Sequence, residues 1–102
     1  MKKINVSYNF NDESDYFDVL KLDKNTATES DIKKSYRALT LKLHPDKTGQ
    51  FDSPLRNYAN EKFKILTQAH EILSDELKRR YYKTYKKMGN SNEQILVWLR
   101  GL

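Results

Sequence analysis

A histidine and an aspartate separated by one proline, His44-Pro45-Asp46 in the stretch KLHPDKTG, are residue types used in proton transfer and metal binding. A general acid/base couple would need both side chains turned toward one substrate and a third group to complete the site. The intervening proline is expected to make the two side chains diverge, and no serine, threonine or other third group is positioned by the sequence to complete a site. The chain's other histidine, His70, stands at none of the close spacings that zinc sites use. It reads instead as a half-buried helix residue whose ring is satisfied by a hydrogen bond. No catalytic residue, metal or cofactor is therefore expected. What remains is a turn, since Asp and Pro are ordinary turn residues. Such a turn either stops a helix and does nothing more, or is presented to another protein.

The elements around the tripeptide favour presentation. Thr28 followed three residues later by Asp31 resembles a capping box, with Asp in place of the preferred Glu, and predicts a helix from about Glu29 to Leu43. Ile32, Ser35, Tyr36, Leu39 and Leu43 fall on one stripe of it, while Lys33, Lys34, Arg37 and Leu41 project from the other side. Pro45 disfavours helical geometry at His44, so the helix should stop there and hand over to a loop containing Gly49 and Pro54. A helix resumes from about Tyr58, with Ala59, Phe63, Leu66, Ala69/His70 and Leu73 at helical spacing. Its length is expected to match that of the helix before the turn, so that the two lie antiparallel and bury their stripes against each other.

Three further helices complete the expected architecture. A short first helix over DYFDVLKL, residues 15–22, has Tyr16, Val19 and Leu20 on one side and Asp15 at its start. A fourth over residues 74–89 starts at Ser74 or Asp75, ends at Gly89 and is crowded with Lys and Arg. A last amphipathic helix in residues 89–102 has Ile95, Trp98, Leu99 and Leu102 on one side. Residues 1–14 read as an irregular or frayed lead-in.

Composition agrees with a small helical domain. The 102 residues hold 37% apolar and 32% charged residues with only three glycines, enough for one modest core. The absence of cysteine removes disulfides, thiolate zinc sites and cysteine nucleophiles, and is compatible with a reducing compartment. The opening MKKINVSYNF is broken by Asn and Ser, and no apolar run approaches about 18 residues. The chain thus reads as soluble and intracellular, cytoplasmic with the nucleus as the alternative, and without a membrane partner. A net charge of +5 favours an acidic partner.

The runs DYFDVLKL, SDIKKSYRALTLKLHPDK and EKFKILTQAHEILSDELKRRYYKTY, together spanning residues 15 to about 85, resemble the J domain of DnaJ-type co-chaperones. The resemblance implies an all-α J-domain fold over residues 15–88. In it an antiparallel hairpin of the second and third helices presents the HPD turn, the first and fourth helices pack on that hairpin, and an extra C-terminal helix follows. It implies docking on a DnaK-type heat-shock chaperone of about 70 kDa and stimulation of that partner's ATP hydrolysis, with no ATP site on this chain. His44, Pro45 and Asp46 would be the triggering signature, with Asp46 engaging an arginine of the partner near its interdomain linker. Lys33, Lys34, Arg37, Lys42 and Lys47 would form the basic surface that meets the partner's acidic face. Several positions depart from the family pattern. Leu43 replaces a tyrosine before HPD, His70 an aromatic, Glu76 the proline after SD, and Tyr82-Lys83 a Tyr-Asp pair; the loop after HPD is also longer.

Two other surfaces offer rival readings. Tyr81, Tyr82 and Tyr85 with Arg79, Arg80, Lys83, Lys86 and Lys87 could stack bases and hold phosphate, making a small basic nucleic-acid binder. Packing of the tyrosines onto the core, with the cations left in water, is the favoured account, which ranks nucleic acid below the chaperone. The C-terminal helix, outside the resemblance, could pack locally or serve a client or second protein.

Overall fold

The computed structural model describes residues 10–102, and the part of the expected lead-in over residues 1–9 lies outside them. Six helical segments follow in order: α1 (Tyr16–Val19), α2 (Glu29–Leu43), α3 (Pro45–Thr48), α4 (Ser53–Leu73), α5 (Glu76–Lys87) and α6 (Asn92–Arg100). No strand occurs among the described residues, and none of their helices is long and apolar enough to cross a membrane.

α2 has the bounds its caps predict. The Thr28 hydroxyl accepts from the Asp31 amide at 3.1 Å and the Asp31 carboxylate accepts from the Thr28 amide at 3.0 Å, so two otherwise orphaned donors are satisfied reciprocally. These bonds stabilise the ionised carboxylate and hold Asp31 below the usual carboxylate range. α2 and α4 run antiparallel, since Tyr36 stacks on His70 at 3.9 Å while His44, further along α2, meets Phe63, earlier on α4, at 5.5 Å. Ile32 and Leu43 from α2 join Ile65, Leu66, Ala69, Ile72 and Leu73 from α4 in the core. Ser35, the polar member of the α2 stripe, donates its hydroxyl to the Leu20 carbonyl behind α1.

α4 differs from expectation: it starts at Ser53 rather than about Tyr58 and is 21 residues long against 15 for α2. Asp52 is its N-cap and Pro54 stands in its first turn, where a missing N–H costs nothing. α1 is also shorter than its apolar pattern suggests, because the chain turns at Lys21, which adopts φ 59°.

The last two helices are fixed by polar contacts. Asp75 caps α5 through the Lys78 amide at 2.9 Å. Gly89, at φ 92°, ends it with Asn90 N donating to Tyr85 O at 3.1 Å and Gly89 N to Lys86 O at 2.9 Å, the paired bonds of a left-handed helix stop. In α6 the buried face is Ile95, Leu96 and Leu99 with Asn92, whereas Trp98 and Leu102 are 43% and 65% exposed. The predicted face was thus rotated from the real one, and Asn92 supplies the reason. Its amide donates to Asp12 O at 2.9 Å and Ser14 O at 2.6 Å, and its carbonyl accepts from the Tyr82 hydroxyl at 2.8 Å. Arg100, one end of the same helix, grips Glu71 of α4 through two bonds of 2.8 and 2.9 Å. Phe10, 6% exposed, joins the core, and its carbonyl accepts from the Lys62 ammonium.

Candidate partner-docking site

The chain bends at His44, which ends α2 and begins α3. His44 N still donates to Thr40 O at 2.8 Å, and its own carbonyl accepts from Lys47 N at 2.8 Å and Thr48 N at 3.2 Å. Pro45 occupies the first turn of α3, where its fixed φ suits the helix and its missing N–H is no loss. The segment expected to be loop is therefore a one-turn helix.

That turn brings the flanking side chains together, contrary to the expected divergence. The His44 Nδ1 accepts from the Asp46 amide at 3.2 Å and lies 3.6 Å from the Asp46 carboxylate. Accepting that amide requires Nδ1 without a proton; a protonated ring would donate to the carboxylate instead. The two residues form a cap at the start of α3. Their side chains are 45% and 88% exposed respectively.

The base of the corner is held firmly. The His44 ring stands edge-on to Phe63, and Thr48 is fully buried. Arg56 of α4 reaches back to the Gly49 carbonyl at 3.3 Å, the Phe51 carbonyl at 3.4 Å and the Ser53 hydroxyl at 3.2 Å. The longer segment after HPD is thus stapled to the helix that follows it. Thr48, Arg56 and Phe63 were not anticipated as supports of the corner. Arg56, close behind a proline and an Asp cap, was the readable signal.

Lys33, Lys34, Arg37, Lys42 and Lys47 are all exposed, and none is in an ion pair among the described residues. Leu41 stands among them, 62% exposed. His70 of α4 packs against Tyr36 of α2. Its ring is covered by Tyr36 and takes no side-chain hydrogen bond among the described residues, so stacking replaces the expected bond. Partial burial, and secondarily the charge of Lys33, hold its pKa below the ordinary histidine value. No group of three potential metal ligands occurs among the described residues.

The rival basic surface on α5 is divided. Tyr82 is fully buried, stacked on Tyr16 at 4.9 Å, and presents no face for a base. Tyr81 is 41% exposed and stacks on Tyr85, which in turn meets Trp98.

The antiparallel hairpin, the proline-bent corner and the unpaired cations beside it coincide with a family model. The DnaJ domain model matches residues 15–83. The chain belongs to the DnaJ-domain family. Its J domain is similar to that of the Chaperone protein DnaJ of a Nitratiruptor species, 44% identical over 79 residues that cover 78% of this chain and 20% of the relative. It is also similar to the DnaJ homolog subfamily C member 5 of Tetronarce californica, 52% identical over 71 residues, 70% of this chain and 33% of the relative. The Mus musculus protein of the same name is 51% identical over 73 residues, 72% of this chain and 34% of the relative. The chain thus spans between a fifth and about a third of the length of these relatives. α6 lies beyond the matched J-domain residues, yet its buried apolar side chains, Ile95, Leu96 and Leu99, belong to the same core cluster.

Proposed function

We propose that this J domain is a co-chaperone module. It docks on a DnaK-type heat-shock chaperone and stimulates that partner's ATP hydrolysis through His44, Pro45 and Asp46, with Lys33, Lys34, Arg37, Lys42 and Lys47 as the basic docking face. The supporting observation is that Asp46, at 88% exposure, projects from a corner whose base is fixed by buried Thr48 and by Arg56. A rigid corner loses little conformational freedom when its exposed carboxylate is engaged. The mechanism is allosteric. Asp46 and the cations contact one state of the partner more favourably than the other, and only that difference shifts its equilibrium. The cytoplasm, with the nucleus as alternative, is the compartment that goes with this reading.

The test is a single-turnover ATPase assay with a DnaK-type partner, comparing the wild type with Asp46→Asn and His44→Gln. Stimulation should be lost in the first variant and strongly reduced in the second. Equal stimulation by all three would overturn the proposal.

A further inference from the structure

Away from the HPD corner, between the C-terminal half of α5 and the turn after α1, lies a concavity of about 140 Å³. Phe17 and Tyr82, both buried in the core, lie beneath it, and four lysines, Lys24, Lys83, Lys86 and Lys87, line it. None of the four is in an ion pair among the described residues. The acids nearby are Asp15, which lines the concavity and accepts from the Phe17 amide at 2.8 Å, and Asp18, whose charge reaches Tyr82. Four lysines and one carboxylate thus line the concavity, with Asp18 and Asp23 close by in the chain.

The lysines are placed by structure that is itself fixed. Lys83 lies over the Phe17 ring at 5.5 Å, on a helix whose core residue is Tyr82. Lys24 sits in a turn closed by Asn25 N donating to the Asp23 carboxylate at 2.7 Å and Ala27 N to Asp23 O at 2.9 Å. Like charges held together on two separate elements repel one another, and a multivalent anion between them removes that cost.

We propose that this concavity binds a small phosphate-bearing ligand. A phosphate monoester carries about −1.5 to −2 charges and three acceptor oxygens, against a single charge and two oxygens for a carboxylate, and lysine serves phosphate as a point charge. The cations border the concavity from two elements, Lys83, Lys86 and Lys87 from α5 and Lys24 from the turn after α1. A single compact phosphate group fits that arrangement, whereas a nucleic-acid backbone needs a row. The phosphate can come from a soluble ester or from a phosphoinositide headgroup. The proposal does not depend on the chaperone reading.

The experiment titrates the isotopically labelled chain with inorganic pyrophosphate, followed by amide shifts, and measures co-sedimentation with phosphatidylcholine vesicles with and without a phosphoinositide. Saturable shifts confined to Phe17, Lys24 and residues 83–87 are expected. The double variant Lys83→Gln/Lys87→Gln should weaken binding roughly tenfold or more, which is about 1.4 kcal/mol. Lys24→Gln should weaken it severalfold, and Lys64→Gln, elsewhere on the surface, should not. Lys24, Lys64, Lys83 and Lys87 are exposed, so an unchanged melting temperature is expected to separate lost binding from lost folding. Sedimentation that requires the phosphoinositide and fails in the double variant assigns the lipid source; pyrophosphate binding without sedimentation assigns the soluble one. Shifts that do not saturate, that spread equally to the lysines of α2, or that survive the double substitution would overturn the site.

Discussion

Two tyrosines that stack on each other do opposite things with their hydroxyls. The Tyr82 hydroxyl donates to Asn92 Oδ1 at 2.8 Å and accepts from the Tyr16 amide at 2.9 Å, and burial pushes its pKa well up, keeping it neutral. That second bond satisfies an N–H that the single-turn α1 cannot. Tyr82→Phe leaves both partners buried and unsatisfied, and should cost about 2–4 kcal/mol in urea denaturation. The Tyr16 hydroxyl has no hydrogen-bond partner among the described residues, so Tyr16→Phe should be neutral or slightly stabilising in the same measurement. At the corner, Asp46→Asn should change stability by no more than about 0.5 kcal/mol while abolishing stimulation of the partner. A large loss of stability would mean that the carboxylate is part of the scaffold. The type and place of His44 and Asp46 were legible in the sequence; their approach to 3.6 Å was not, because it depends on Pro45 starting a new helical turn rather than a loop.

Helices are defined here by their ends as much as by their stripes. α2 was readable because its stop and start signals are adjacent in the chain: Thr28 with Asp31, and Pro45 beyond Leu43. The start of α4 was misread because proline has two meanings, a breaker inside a helix and a favoured residue in its first turn. Gly89 at the end of α5 is in the left-handed region, and a Cβ there would meet nothing within 4 Å. Gly89→Ala should therefore cost about 1 kcal/mol through the backbone alone, seen as a lower urea midpoint with an unchanged slope. At the other end of α6, Arg100→Gln should cost about 0.5–1 kcal/mol, the upper range for an exposed but bidentate pair. The Arg100 hydrogen bonds hold the Glu71 carboxyl below its ordinary value. That contribution is complete above the ordinary glutamate range and is lost as pH falls through the lowered value, so the wild type and Arg100→Gln should converge in strong acid.

For the molecule as a whole, pH and ionic strength act on different properties, although Lys33 bears on both. His70 has its pKa lowered first by burial and second by Lys33, so the fold prefers the neutral ring. Stability from this source is complete above the ordinary histidine value and declines as pH falls below it toward the lowered one. His70→Gln should flatten that part of the stability curve, leaving the lower carboxylate window in place. A curve of unchanged shape would mean that the stack on Tyr36 does not discriminate protonation. The proposed docking, by contrast, should follow ionic strength. Charge reversal at Lys33, Lys34 and Arg37 is expected to slow association most at low salt, where screening is weakest, as measured by surface binding kinetics across a salt series.

Short-range signals, namely hydrophobic period, capping pairs and the HPD tripeptide, were enough to determine the helical class, the bounds of α2 and the place of the corner. Their physics acts over one or two turns of chain. Only the tertiary structure decided which face of α6 is buried, because that rotation is held by Asn92 bonds to carbonyls 78 and 80 residues away and by Arg100 gripping Glu71 29 residues back. It alone also gathered Lys24 with Lys83, Lys86 and Lys87, since side chains from two separate elements become neighbours only when those elements pack.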